Sequence, residues 1–151
     1  MKTDPVAQLQ WLVDRAGIGD LLHRFARTLD TRDFSAYVDL YDEDGVIELP
    51  QPKGGTWTMT RAQMSTKVPL SLARYSATHH ISSNHEIEIR GDSATSRSYL
   101  QAVHVGPRPS EHWDAGGWYD CRYRRTPSGW KFVHVRLTAV WTQGNPSDFE
   151  V

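Results

Sequence analysis

The chain has 151 residues, a formal net charge of −1 and 23% charged residues, the size and balance of one globular domain with an ordinary core. With no block of Lys or Arg it lacks the electrostatic footprint of a nucleic-acid binder. Its one cysteine, Cys121, excludes an intrachain disulfide and every multi-cysteine metal or redox motif.

No apolar run approaches the ~20 residues that cross a bilayer. The polar start Met1-Lys2-Thr3-Asp4-Pro5 does not read as a signal peptide, so the expected compartment is the cytosol. Six Trp and six Tyr are many for this length, and such rings line ligand pockets as well as cores.

Asp4-Pro5 has the form of a helix start, a capping side chain followed by proline at the first helical position. Leu9, Leu12 and Val13 recur at helical spacing, and Gly17 with Gly19 predicts a break or bend. Ile18, Leu21, Leu22, Phe25 and Leu29 then form one apolar stripe. Asp33 fits as the cap of a second helix, Phe34 to Tyr41.

Asp42-Glu43-Asp44-Gly45 reads as a turn, Val46 to Leu49 as a short strand and Pro50 to Trp57 as a loop. Arg61 to Leu72 is a helix candidate. Strands follow at about 78–90, 94–106, 113–125 and 130–142, with turns at Arg90-Gly91-Asp92, Gly106 to Pro109 and Thr126 to Gly129. Residues 144–151 are expected to be a tail of a single domain spanning 1–151. Helices followed by a run of antiparallel strands indicate an α+β fold, a long sheet curling over the helices as a cone with an apolar cavity.

Asp30 stands at the end of the apolar helix, where the macrodipole disfavours negative charge. The best reason for a carboxylate there lies in Thr78-His79-His80-Ile81-Ser82-Ser83-Asn84. Asp30 and one of those histidines read as a catalytic pair at the mouth of the cavity.

The stretches Ile18 to Ala26, Leu29 to Phe34, His80 to Asn84, Gly91 to Thr95 and Gly129 to Phe132, in this order, resemble the nuclear-transport-factor-2-like superfamily. The nearest branch is the SnoaL-like group, which includes scytalone dehydratase, bile-acid dehydratase and a hexachlorocyclohexane dehydrochlorinase. The resemblance implies an Asp–His dyad at Asp30 and His80, a second histidine at His104 and an assisting arginine at Arg136. A substrate-polarising tyrosine would fall near Leu49, so its role is vacant or has moved to Tyr41, Tyr75 or Tyr119.

Strand alternation groups His79 with Ile81, His85, Ile87 and Ile89, and so favours His79 as the inward residue. The family spacing, a histidine four residues before an asparagine, favours His80. A bulge at Ser82-Ser83-Asn84 reconciles the two by exchanging faces, and His80 is taken as the base. Alternation also places His104 with Leu100 and Ala102, Tyr119 with Cys121 and Tyr123, and Arg136 with Trp130, Phe132 and His134.

An Asp–His pair suits general acid–base chemistry, because histidine titrates near neutrality and the carboxylate fixes its tautomer. No cofactor and no metal is expected: phosphate loops, nucleotide fingerprints and recognised His ligand spacings are absent. The expected activity is a dehydratase or lyase acting on a small hydrophobic oxygenated molecule such as a polyketide, steroid or polycyclic. Tyr41, Tyr75, His104, Tyr119 and Arg136 are the expected substrate contacts. An isomerase or cyclase working through an enolate, and a binding module with the same cone, are the alternatives. Trp118 on the outer sheet face suggests a homodimer or larger homo-oligomer.

Overall fold

The computed structural model describes residues 4–51, 54–108 and 110–144. They run α1 (Pro5–Asp30), α2 (Phe34–Val38), β1 (Tyr41–Pro50), β2 (Thr56–Thr60), α3 (Arg61–Leu72), β3 (Ala77–Arg90), β4 (Ser93–Val105), β5 (His112–Thr126) and β6 (Gly129–Gly144). The architecture is α+β, with the helices against one side of a curved, unclosed six-stranded sheet of order β2-β1-β6-β5-β4-β3. β1 runs parallel to β6 and every other neighbouring pair is antiparallel.

Asp4 caps α1 by accepting from the Val6 N–H at 3.0 Å, and Asp33 caps α2 by accepting from the Ala36 N–H at 3.1 Å. α1 does not break at Gly17 and Gly19. Tertiary contacts on both sides outweigh the ~1 kcal/mol that each glycine costs a helix. Upstream, buried Asp14 accepts from Arg125 Nη2 at 2.8 Å and from the Trp130 indole at 3.2 Å. Downstream, Ile18, Leu21, Leu22 and Phe25 are buried in the core.

Three further expectations are corrected. Asp42 to Gly45 is no free turn but an excursion inside β1, lying between the pairings Tyr41–Phe132 and Val46–His134. The expected loop ends two residues early, because strand β2, a short edge strand, starts at Thr56 after Gly54-Gly55 and pairs with β1. Gly144 ends β6 rather than opening a tail, and residues 145–151 lie outside the described residues.

Single extra residues bend the long strands and set which face each side chain takes. On β3 the pairing passes from Ser83–Tyr99 to Glu86–Arg97, with Asn84 in the left-handed region at φ 53°. Thr78, His80 and Ser82 therefore face the helices before the bulge, and His85, Ile87 and Ile89 do so after it. On β6, Val133 and Val140 are the extra residues opposite Arg122-Tyr123 and Gly116-Gly117. A Cβ on Gly117 would meet the Thr138 carbonyl oxygen at 1.9 Å, so the second bulge requires glycine there.

The outer face carries ion pairs together with half-buried Trp118 and exposed Tyr99 and Trp141. Among the described residues no helix is long and apolar enough to cross a membrane.

Candidate active site

Helices and the inner sheet face enclose a cavity of about 630 Å³, within the roughly 300–1,000 Å³ usual for small-molecule sites. Its wall is mostly apolar, built from residues such as Phe25, Leu29, Ile47, Leu49 and Val68. His80, His104, Tyr37, Tyr75 and Tyr119 also line it.

Asp30 stands between the end of α1 and the start of β3. Its Oδ1 lies 2.7 Å from His80 Nδ1 and accepts from the Thr78 hydroxyl at 3.0 Å, while Oδ2 accepts from the His80 backbone N–H at 2.8 Å. These donors offset the unfavourable end of the helix dipole. Burial alone would raise the Asp30 carboxyl, but the hydrogen bonds and charge of His80, with Thr78, outweigh it and hold the group below its ordinary range. A carboxylate can only accept, so Nδ1 of His80 carries a proton, and in the neutral ring it is Nε2 that holds the lone pair.

His104 is buried, and its ring meets that of His80 edge-on with centroids 5.2 Å apart. Its Nδ1 donates to the Trp113 carbonyl at 2.9 Å. Burial first, and then the neighbouring His80, push its pKa down to about 4. His104 is thus a neutral imidazole near pH 7, its Nε2 a fixed acceptor. Tyr75 and Trp113 pack on it with centroids at 4.8 and 4.9 Å.

Tyr119 packs edge-on against Phe25, and burial raises its phenol well above the ordinary value, so it remains a donor. Among the described residues its hydroxyl has no hydrogen-bond partner.

Two expected contacts lie elsewhere. Tyr41 is buried in the core and shares a 3.0 Å hydrogen bond with the Tyr37 hydroxyl, so Tyr37 lines the cavity in its place. Arg136 faces the outer surface, its Nε 2.6 Å from Glu48 Oε2. The extra residue Val133 separates Trp130 and Phe132, which face inward, from His134 and Arg136, which do not. His79 is exposed on the outer face.

The sequence reading also passed over Thr78 and the Trp113 carbonyl. Thr78 precedes His80 by two residues, and strand alternation alone could have flagged it. The Trp113 carbonyl could not be found without the pairing of β4 with β5.

Residues 10–136 match the profile of the SnoaL-like domain. The chain belongs to this family. Among solved structures, the Kfla4162 protein of Kribbella flavida is 27% identical with a TM-score of 0.81, over 89% of this chain and 95% of that one. A scytalone dehydratase candidate from Novosphingobium aromaticivorans is 21% identical with a TM-score of 0.78, over 89% of both chains. The type 3 hexachlorocyclohexane dehydrochlorinase of Novosphingobium barchaimii is 17% identical with a TM-score of 0.77, over 91% and 94%. No curated protein matches. The SnoaL-like family includes dehydratases, cyclases and dehydrochlorinases, so family and fold leave the reaction to the site.

Proposed function

We propose that the protein is a cofactor-independent lyase that eliminates water from a small, mostly apolar, oxygenated substrate. The observation that carries this reading is the 2.7 Å contact of His80 Nδ1 with Asp30, which leaves Nε2 as a base for a substrate in an apolar cavity.

In this mechanism Nε2 removes a proton from the carbon next to a carbonyl, and Asp30 stabilises the imidazolium that forms. The Tyr119 hydroxyl donates to the carbonyl oxygen as enolate charge develops there. The imidazolium returns its proton to the departing hydroxyl, so one alkene and one water leave for each substrate. His104 Nε2 accepts from a substrate hydroxyl and orients it, and Tyr75 shapes the wall beside it.

The test is a panel of aromatic β-hydroxy ketones, with the conjugated enone read by absorbance for the wild type, Asp30→Asn and His80→Ala. Enone formation by the wild type, lost in both variants while they stay folded, is expected. Binding without turnover would make the cavity a ligand carrier. Proton exchange without loss of water would favour an isomerase or cyclase on the same dyad.

A further inference from the structure

We propose that Arg32 is a positioning residue, whose guanidinium orients the Thr78 hydroxyl toward Asp30 and braces the segment carrying Tyr75 against His104. The proposal rests on Asp30–His80 being the working pair.

Arg32 Nη1 donates to Thr78 Oγ1 at 2.9 Å and to the Leu29 carbonyl at 3.1 Å, and Nη2 donates to the Tyr75 carbonyl at 3.3 Å. The direction of each bond follows from chemistry. A guanidinium has only donors and an ionised carboxylate only acceptors. Thr78 Oγ1, lying between them, must accept from Arg32 and give its single proton to Asp30 Oδ1, 3.0 Å away. The hydroxyl cannot rotate to another role while Arg32 is in place. Oδ1 then holds two donors, Thr78 and His80 Nδ1, and the carboxylate plane is fixed with respect to the ring.

The second branch of the fork reaches the other histidine. The Tyr75 carbonyl is held by Arg32, and the Tyr75 ring packs at 4.8 Å from His104. One side chain outside the cavity wall thus supports both imidazoles within it.

The backbone agrees with a special role. Arg32 has φ 61°, a left-handed conformation that glycine adopts without strain and arginine does not. Glycine would serve the α1–α2 turn, and only the guanidinium accounts for a long cationic side chain at this position.

The experiment compares the wild type with Thr78→Val, Thr78→Ser, Arg32→Gly and Arg32→Lys by two readouts. The first is hydrogen exchange of the His80 Nδ1 proton, followed by NMR in the absence of substrate. Thr78→Val and Arg32→Gly are expected to speed this exchange at least tenfold, and Thr78→Ser to restore it. Arg32→Lys, which keeps the charge but loses the fork, is expected to fall between. The second is ring opening of 5-nitrobenzisoxazole, which needs only one carbon-bound proton removed by a placed base. There kcat is expected to fall about tenfold in Thr78→Val with KM within twofold, and Thr78→Ser to recover it.

Glycine suits the backbone at position 32, so Arg32→Gly should stay folded. Should it unfold, Thr78→Val and Arg32→Lys carry the test. Unchanged Nδ1 exchange in these variants, or failure of Thr78→Ser to restore it, overturns the positioning role. If the wild type leaves benzisoxazole unopened while exchange responds as expected, the positioning stands and the base role of His80 fails.

Discussion

Two carboxylate–histidine pairs lie on opposite faces of one sheet at the same separation. Asp30 meets His80 at 2.7 Å on the inner face, and Glu48 meets His134 at 2.7 Å on the outer face. Burial does not separate them: the His80 and Asp30 side chains are 9% and 23% exposed, those of His134 and Glu48 13% and 18%. The surroundings do. Asp30 takes hydrogen bonds from Thr78 and a backbone N–H, whereas Glu48 is shared with the Arg136 guanidinium, which neutralises it. His80 is held through Nδ1, leaving Nε2 for the cavity, but His134 spends Nε2 on Glu48. A short contact makes an ion pair, and a base also needs a free nitrogen facing a place where a substrate fits.

The comparison predicts its largest effect on the inner pair. Asp30→Asn or His80→Ala should lower kcat for hydroxy-ketone elimination by about 10²–10⁴-fold, the usual worth of a general base. Steady-state kinetics on folded variants check this.

A second effect concerns pH. The folded His104 binds its proton only near pH 4, below the ordinary 6.5 of the unfolded chain. The unfolded state therefore binds more protons between these values, and stability is fully present above about 6.5 and falls as the pH drops toward 4. The loss from this residue is about 3 kcal/mol. His85, also depressed by burial, adds to the same slope. Asp30 contributes in a lower window, because its depressed carboxyl loses its stabilisation only below the ordinary carboxylate range. Urea unfolding at pH 7, 5.5 and 4.5 should show a shallower slope in His104→Phe than in the wild type.

Smaller again is Tyr119→Phe. If its hydroxyl meets the substrate carbonyl, one hydrogen bond to an oxygen gaining negative charge is lost and kcat should fall by about ten- to a hundredfold. Stability should barely change, since the hydroxyl has no partner among the described residues. A change in KM alone would assign Tyr119 to ground-state binding.

The element order was legible because each long segment repeats one period: the stripe Ile18 to Leu29 for α1, and alternation on the four long strands. What alternation cannot show is where an extra residue interrupts it. Asn84 puts His80 rather than His79 against Asp30, a result that spacing within the family suggested and local periodicity opposed. Val133 does the reverse for Arg136, grouped with Trp130 and Phe132 by period and sent to the other face by the bulge. Tyr41 continued the apolar face of α2 in sequence, yet α2 ends at Val38 and Tyr41 begins β1 in the core. Arg32 was hidden for another reason. Its role depends on a hydrogen bond across 46 residues, which no local pattern encodes.

The smallest effect belongs to the outer pair. Glu48→Gln leaves the His134 contact without its charge and releases Arg136, which is half exposed and can be solvated. The pairing of Glu48 with half-exposed Arg136 contributes about 0–1 kcal/mol, and the amide can still hydrogen-bond His134, so urea unfolding at neutral pH should move by about that much. The activity of Glu48→Gln should stay within twofold of the wild type, since Glu48 is separated from the cavity by the sheet itself. A Glu48→Gln variant as inactive as Asp30→Asn would show that the free nitrogen and the cavity do not distinguish the two pairs.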